Sequence, residues 1–312
     1  MSQFERPAEL NLAIANWLHR QGSAALRQKS AALSHSYRHG ANSQHIDLAA
    51  YLTTRLPATY AAIARVLREV QNIATHFKPQ SLLDVGAGPG TASWAAKVLW
   101  PEMASVTMIE ADMRFANLAA DLAAANWPAT IIQKPLNQIA EFADLIIAAY
   151  VFAELDETSA AETALKLWAH AQKILVIVEP GTPRGFARIK NARAALLAAG
   201  ANVIGPCTHA NACPMLGSDW CHFSQRLARS REHMHAKQAH VPFEDEKFSW
   251  IAVSREKYEL SNARILAPLI TTKISTTLKL CGVTGLRTQV IASRDKAAYK
   301  QAKKLEWGEV YS

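Results

Sequence analysis

Residues 81–91 read SLLDVGAGPGT, from Ser81 to Thr91. Apolar residues run into Asp84, and glycines then recur at 86, 88 and 90. A buried strand followed by so glycine-dense a turn opens a βα crossover that brings backbone close to a nucleotide-like ligand. A Cβ there would block the approach. The helix expected from about Thr91 points its unpaired N–H groups at the same loop.

One strand later, Val106–Ile109 (VTMI) ends at Glu110, 20 residues beyond Gly90. A carboxylate at the tip of the second strand is placed to hold a ribose diol through two charge-assisted hydrogen bonds. The spacing is G-x-G-x-G rather than the G-x-G-x-x-G of dinucleotide enzymes. With Asp84 ahead of the first glycine, it suits S-adenosylmethionine (SAM) better than a pyrophosphate.

Beyond Glu110 the pattern alternates: a helix over about 113–126, a strand at Thr130–Gln133, a strand at Asp144–Val151, a helix near 159–172 and a strand at Ile174–Val178. This is the pattern of a doubly wound parallel sheet with helices on both faces. Ligands of such sheets sit beyond the C-terminal ends of the strands. Gln133, Tyr150 and Glu179 fall at those ends. The candidate cofactor residues are therefore Asp84, Gly86, Gly88, Gly90, Thr91, Glu110, Gln133 and Tyr150. Phe248–Arg255 and Leu286–Ser293 alternate like strands and are expected to close the far edge of the sheet.

Upstream, Leu10, Ile14, Trp17 and Leu18 recur at helical spacing, and a further helix is expected over Ala58–Thr75. The chain thus divides into a helical region, 1–75, and an α/β domain, 76–312. Between the helices, SHSYRHGANSQH (34–45) reads as a solvated loop, in which His35, Tyr37, Arg38, His39 and His45 are candidates for phosphate or base contact.

At 312 residues with half of them hydrophobic, the chain has enough apolar material for a large core and is not a disordered polymer. No apolar run approaches the roughly 20 residues needed to span a bilayer, and MSQFERPAEL carries no secretory leader pattern. A soluble cytoplasmic protein is expected. The formal charge of +8 is uneven: residues 20–80 and 201–312 each carry net +6, whereas 81–200 carry net −3. Basic flanks around an acidic core point to a polyanion, nucleic acid first among them.

The four cysteines, Cys207, Cys213, Cys221 and Cys281, are spaced C-x5-C-x7-C-x59-C. The first three lie in PCTHANACPMLGSDWCHF, which has neither helical nor strand periodicity. A long irregular stretch in a compact domain needs something to organise it, and a thiolate-bound metal does so. Four thiolates suit tetrahedral zinc or a [4Fe–4S] cluster. The lack of a short C-x2–4-C knuckle favours the bulkier cluster. His209 and His222 are alternative ligands, assigned by default to the surroundings.

LDVGAGPGT, PCTHANACPMLGSDWCHFSQR, FEDEKFSWIAVSR, RDKAAYKQAKKLEWGEVY and the upstream AYLTTRLPATYAAI together resemble one family. It comprises the methyltransferase-like proteins of mitochondrial small-ribosomal-subunit assembly and their bacterial homologues. The likeness runs from about residue 48 to the end. It implies a class I SAM-dependent methyltransferase fold, Rossmann-like, with the glycine loop at the cofactor. It also implies an N-terminal helical extension and a Cys-rich metal-binding insertion over about 205–240, completed by Cys281 and holding [4Fe–4S]. The implied partners are the small ribosomal subunit and its rRNA.

Signs of catalysis are sparse. The segment after the fourth strand reads AAYVFAEL, without the Asn/Asp-Pro-Pro-aromatic run that orients an amino lone pair. Transfer by proximity alone would leave Tyr150 and Glu154 to position an acceptor. The first expectation is a SAM- and cluster-binding assembly factor with vestigial catalysis. An rRNA methyltransferase, or a methyltransferase of proteins or small molecules with structural zinc, are the alternatives.

Overall fold

The structure, a computed structural model, describes residues 4–21, 46–155, 159–229, 233–234 and 240–311. The loop candidates His35, Tyr37, Arg38, His39 and His45 lie outside them.

Thirteen described strands form two sheets. β1 (Ser81–Val85), β2 (Ser105–Glu110), β3 (Thr130–Gln133), β4 (Ala143–Ala149) and β5 (Ala171–Pro180) run parallel in the order β3-β2-β1-β4-β5. β6 (Asn202–Gly205) and β7 (Phe223–Ala228) both pair antiparallel with β8 (Phe243–Ser254), which is itself antiparallel to β5. The resulting order, β3-β2-β1-β4-β5-β8-β6 with one reversed strand, is that of the Rossmann-like SAM-methyltransferase fold. The chain reverses across β1, so the crevice opens above the ends of β1 and β4.

The second sheet holds β9 (Ala263–Ile265), β10 (Ile270–Thr271), β11 (Ser275–Gly282), β12 (Gly285–Ala292) and β13 (Val310–Tyr311), all antiparallel. Phe248–Ser254 joins the main sheet as expected. Leu286–Ala292 does not: its alternation is satisfied by β11, and it closes no edge of the main sheet.

The helices are α1 (Ala8–Gln21), α2 (Leu56–Ile73), α3 (Thr91–Leu99), α4 (Met113–Ala123), α5 (Ser159–His170), α6 (Pro183–Ala198) and α7 (Lys296–Ala302). The near-continuous apolar strands are covered on both faces, as a parallel sheet demands. Leu82, Met108, Leu145, Ile147 and Val176 face a core shared with Leu10, Ile14, Leu67 and Trp94. Their neighbours Leu83, Val85, Ile146 and Ile177 face Leu167, Trp168, Ile189 and Leu196.

One irregularity shapes the site. α2 is preceded by a short helical turn, Leu48–Ala50, and by a π-helical turn, Tyr51–Arg55. Pro57 has no N–H for the Thr53 carbonyl, and its ring would crowd that oxygen in a regular α-helix. The widened turn answers both problems and turns Tyr51 and Arg55 toward the strand ends.

Candidate functional site

The glycine loop is anchored from two sides. Asp84, fully buried, accepts the Ser93 N–H (2.9 Å) and hydroxyl (2.7 Å) on one carboxylate oxygen. It serves as the N-terminal cap that α3 lacks at Gly90. Burial lifts its pKa to about 6 against the lowering effect of those bonds. On the other side, Glu110 accepts the Gly88 N–H (2.8 Å) and the Asp112 N–H (2.9 Å). The Ala87 N–H reaches the Ile109 carbonyl at 3.0 Å. The acid at the tip of β2 therefore fixes the loop itself.

Two of the glycines differ in what demands them. Gly86, at φ +65°, would place a Cβ 2.7 Å from the Val151 Cβ, so the chain's own packing excludes a side chain there. Gly88, at φ +54°, would meet nothing closer than the Tyr51 hydroxyl at 4.0 Å. Its open side faces the crevice under the π-helical turn. Thr91 is buried, with a hydroxyl that has no partner. Gln133 stands beside Glu110 in register at the sheet edge and donates to the Ala111 carbonyl at 3.4 Å.

The ends of β1, β2, β4 and β5 carry acids. Glu179 is fully buried and accepts the Phe152 N–H at 2.9 Å through Oε1, while Oε2 has no hydrogen-bond partner. Burial pushes its pKa to about 8. Glu154 and Glu110 are also shifted up, first by burial; Glu154 is raised further by the charges of Glu110 and Asp112. Three carboxyls thus gather at the strand ends, Glu179 buried, Glu110 half-buried and Glu154 exposed; near Glu179 the Arg188 charge lowers the pKa while Glu154 raises it.

The end of β4 is filled by the chain itself. Tyr150 has φ +62°, a left-handed conformation costly for a bulky residue. The Val178 carbonyl holds its N–H at 2.7 Å. Its hydroxyl donates to Glu246 Oε1 at 3.1 Å, and burial raises its pKa well above the ordinary value. Arg55 makes a two-pronged ion pair with Glu246 (2.8 and 2.9 Å) and lies 5.0 Å from the Tyr150 ring centroid. Sequence reading missed Arg55 and Glu246. The available signal was a glutamate at an inward position of the alternating segment FEDEKF, whose burial in β8 follows that alternation.

The four cysteines line one apolar cavity of about 30 Å³, together with Arg193, Met215 and Trp250. The expected metal site is not there: among the described residues, no group of three or more His, Cys, Asp or Glu side chains is placed to hold a metal ion. Neither [4Fe–4S], nor zinc, nor the expected metal-binding insertion is supported among the described residues. The Arg193 guanidinium organises the irregular stretch instead. It donates to the carbonyls of His209 and Asn211 (both 2.8 Å) and to the Cys207 sulfur (3.2 Å). Lys190 to the Met215 carbonyl (2.9 Å), Trp220 to the Gly181 carbonyl (3.0 Å) and Ser249 to the Cys221 carbonyl (2.8 Å) complete the framework. Burial raises the pKa of Cys207, Cys221 and Cys281, and at Cys221 and Cys281 the neighbouring cysteines add to the rise. His209 lies 3.5 Å from the Cys281 sulfur, and His222 stacks on Trp220.

Known proteins align with this architecture. The human "Ribosome assembly protein METTL17, mitochondrial" is 25% identical over 285 residues, covering 83% of this chain and 61% of that protein. The Schizosaccharomyces pombe "Rsm22-cox11 tandem protein 2, mitochondrial" is 23% identical over 321 residues, covering 84% of this chain and 42% of that protein. The chain thus spans about three-fifths and two-fifths of these relatives. Among solved structures, N-methyltransferase NodS from Bradyrhizobium japonicum with S-adenosyl-L-homocysteine matches 73% of this chain and 98% of that one, at 13% identity and a TM-score of 0.45. The strand order carries the fold assignment without it. The relatives are mitochondrial proteins, which overturns the cytoplasmic expectation: lack of a secretory leader says nothing about other compartments. Among the described residues, no helix is long and apolar enough to cross a membrane. Residues 45–312, most of the sequence, match the family described as "Mitochondrial small ribosomal subunit Rsm22", and the chain belongs to that family.

Proposed function

We propose that the chain is an assembly factor of the small ribosomal subunit that holds SAM as a ligand in the crevice above β1, β2 and β4. Family membership supports the ribosomal half. The observation that carries the cofactor half is the cluster of carboxyls at the strand ends, in which the buried Glu179 keeps one oxygen without a hydrogen-bond partner. SAM, when bound, brings an electrophilic methyl on a sulfonium and a second positive charge on its amino group.

The chain's own residues do the holding. Glu110 keeps the loop closed and has lone pairs left for a ribose diol, because a carboxylate accepts about four hydrogen bonds. The open side of Gly88 admits the ligand backbone-first. Glu154 and Glu179 supply the counter-charge to a cation. Asp84 holds α3 in place behind them. The Arg55–Glu246–Tyr150 network occupies the end of β4, where an acceptor would have to lie, and this supports a bound cofactor that is not turned over.

A pH signature tests the cation site. Glu179 titrates near 8 in the free protein, and a cation beside it favours the ionised form, so binding expels a proton. SAM affinity should therefore rise with pH toward about 8 and level off above it, by at most about tenfold per unit for one proton. Calorimetry in buffers of different ionisation enthalpy would read the proton release directly. Glu179→Gln should abolish it; an identical pH profile in that variant would contradict the assignment. The unliganded protein should also lose stability as pH rises from the ordinary carboxylate range toward 8. In that window the unfolded chain has already released the proton that the folded state retains.

A further inference from the structure

Residues 270–304 hold eight Lys/Arg and one acid, Asp295, for a net +7, more than the +6 of the entire 201–312 flank. The structure concentrates this surplus on one unit, β10 to α7, outside the crevice. Asp295 is committed to capping α7, accepting the Ala298 N–H at 3.1 Å. Lys279 pairs with Asp219. Among the described residues, none of the other seven cations makes an ion pair.

Local bonds gather them. The Tyr299 hydroxyl donates to the Thr272 carbonyl, and the Ser293 N–H reaches the Ile274 carbonyl at 2.8 Å. These bonds draw the β10–β11 turn, the exit of β12 and α7 together. Lys273, Arg294, Lys296 and Lys300 therefore share one end of the sheet, with Lys303 and Lys304 following. Lys296 and Lys300 stand about one helical turn apart, a like-charge spacing that disfavours a helix unless an anion offsets it. Thr271 and Thr272, both exposed, add hydroxyls among the cations. The unit is also firmly mounted: Arg264, nearly fully buried in β9, donates to Glu69 on α2 (2.6 Å) and to the Gly308 carbonyl (2.7 Å).

We infer that this unit is the surface that docks the chain on RNA, through the phosphate backbone and without reading bases; the inference rests on the ribosomal reading above. Unpaired lysines and arginines with interspersed hydroxyls match a phosphate backbone. An anionic membrane is the poorer match. α7 (KAAYKQA) has no broad apolar face to insert; of the unit's exposed large apolar residues, Val283 and Leu286 stand at the opposite, hairpin end of β11–β12 and only Ile270, Ile274 and Val290 lie toward the basic end.

The test compares wild type with the fourfold variant Lys296→Gln/Lys300→Gln/Lys303→Gln/Lys304→Gln, and separately with Lys273→Gln/Arg294→Gln. Lys166→Gln, far from the unit, is the control. Probes are purified small subunits and a fluorescein-labelled RNA hairpin across a salt series. Each lost duplex phosphate contact flattens log K against log salt by about 0.9, so the fourfold variant should flatten it by about 3.6 and the double variant by about 1.8. The control should match wild type. Wild type and both variants sedimenting and titrating alike would overturn this surface while leaving the ribosomal reading intact. Wild type failing to sediment with subunits would sink that reading itself. Loss of binding only to phosphatidylserine vesicles, with RNA binding unchanged, would overturn the inference in favour of a membrane.

Discussion

Glu246→Ala is expected to destabilise the protein by about 3–5 kcal/mol in chemical denaturation, because it strands the Arg55 charge in a largely buried site. Glu246 is only 9% exposed at its side chain and Arg55 19%, so solvent screens the pair weakly. The same substitution removes the acceptor of the Tyr150 hydroxyl. Tyr150 sits in a left-handed conformation that its surroundings must impose, so part of the loss should come from relaxation at the end of β4. Arg55→Met combined with Glu246→Leu should recover most of the stability, since apolar replacement of a buried pair is often neutral or better. If the single alanine variant cost under about 1 kcal/mol, within the range of a surface ion pair, the network would not be the fixed closure proposed.

The second large effect falls on ligand binding. Glu110→Ala removes the acceptor for the Gly88 and Asp112 N–H groups. Hydrogen bonds to a charged group contribute about 1.5–3 kcal/mol each, so the loop loses its shape as well as its ribose anchor. SAM affinity should fall at least about a hundredfold, equivalent to roughly 2.7 kcal/mol. The fold should survive, because Glu110 is half-buried at the tip of β2 and contributes nothing to the apolar core. A Glu110→Ala protein that binds SAM as wild type does would show that the crevice is not the cofactor site. Glu110→Gln separates the two roles, because its amide oxygen still accepts a loop N–H but no longer offers two equivalent acceptors to a diol.

What the sequence made legible depended on how local the signal was. The Ser81–Thr91 stretch and Glu110 lie within one βαβ unit, and the structure joins them by bonds that stay inside that unit. The parallel strands carried the apolar runs of a sheet covered on both faces, and all five fell close to where the spacing put them. Arg55 and Glu246 are 191 residues apart, and no spacing rule joins them. The alternation of Leu286–Ser293 predicts a strand and the residues form one, but in the second sheet rather than the main one, because alternation specifies a face and not a partner. The cysteine segment is irregular, as its lack of periodicity predicts, but the metal expected to organise it is not supported among the described residues. Arg193, on the preceding helix, meets that need by bonding two loop carbonyls, and no periodicity in the segment itself could reveal an organiser held outside it.

Incubating the protein and purified small subunits with SAM labelled in its methyl group tests the central claim most directly. The account predicts label that sediments with the complex, exchanges freely with unlabelled SAM, is lost in Glu110→Ala, and leaves no acid-stable counts in rRNA or protein. Acid-stable label that appears with wild type and vanishes with Glu110→Ala would contradict it, because the closed end of β4 would then be admitting an acceptor.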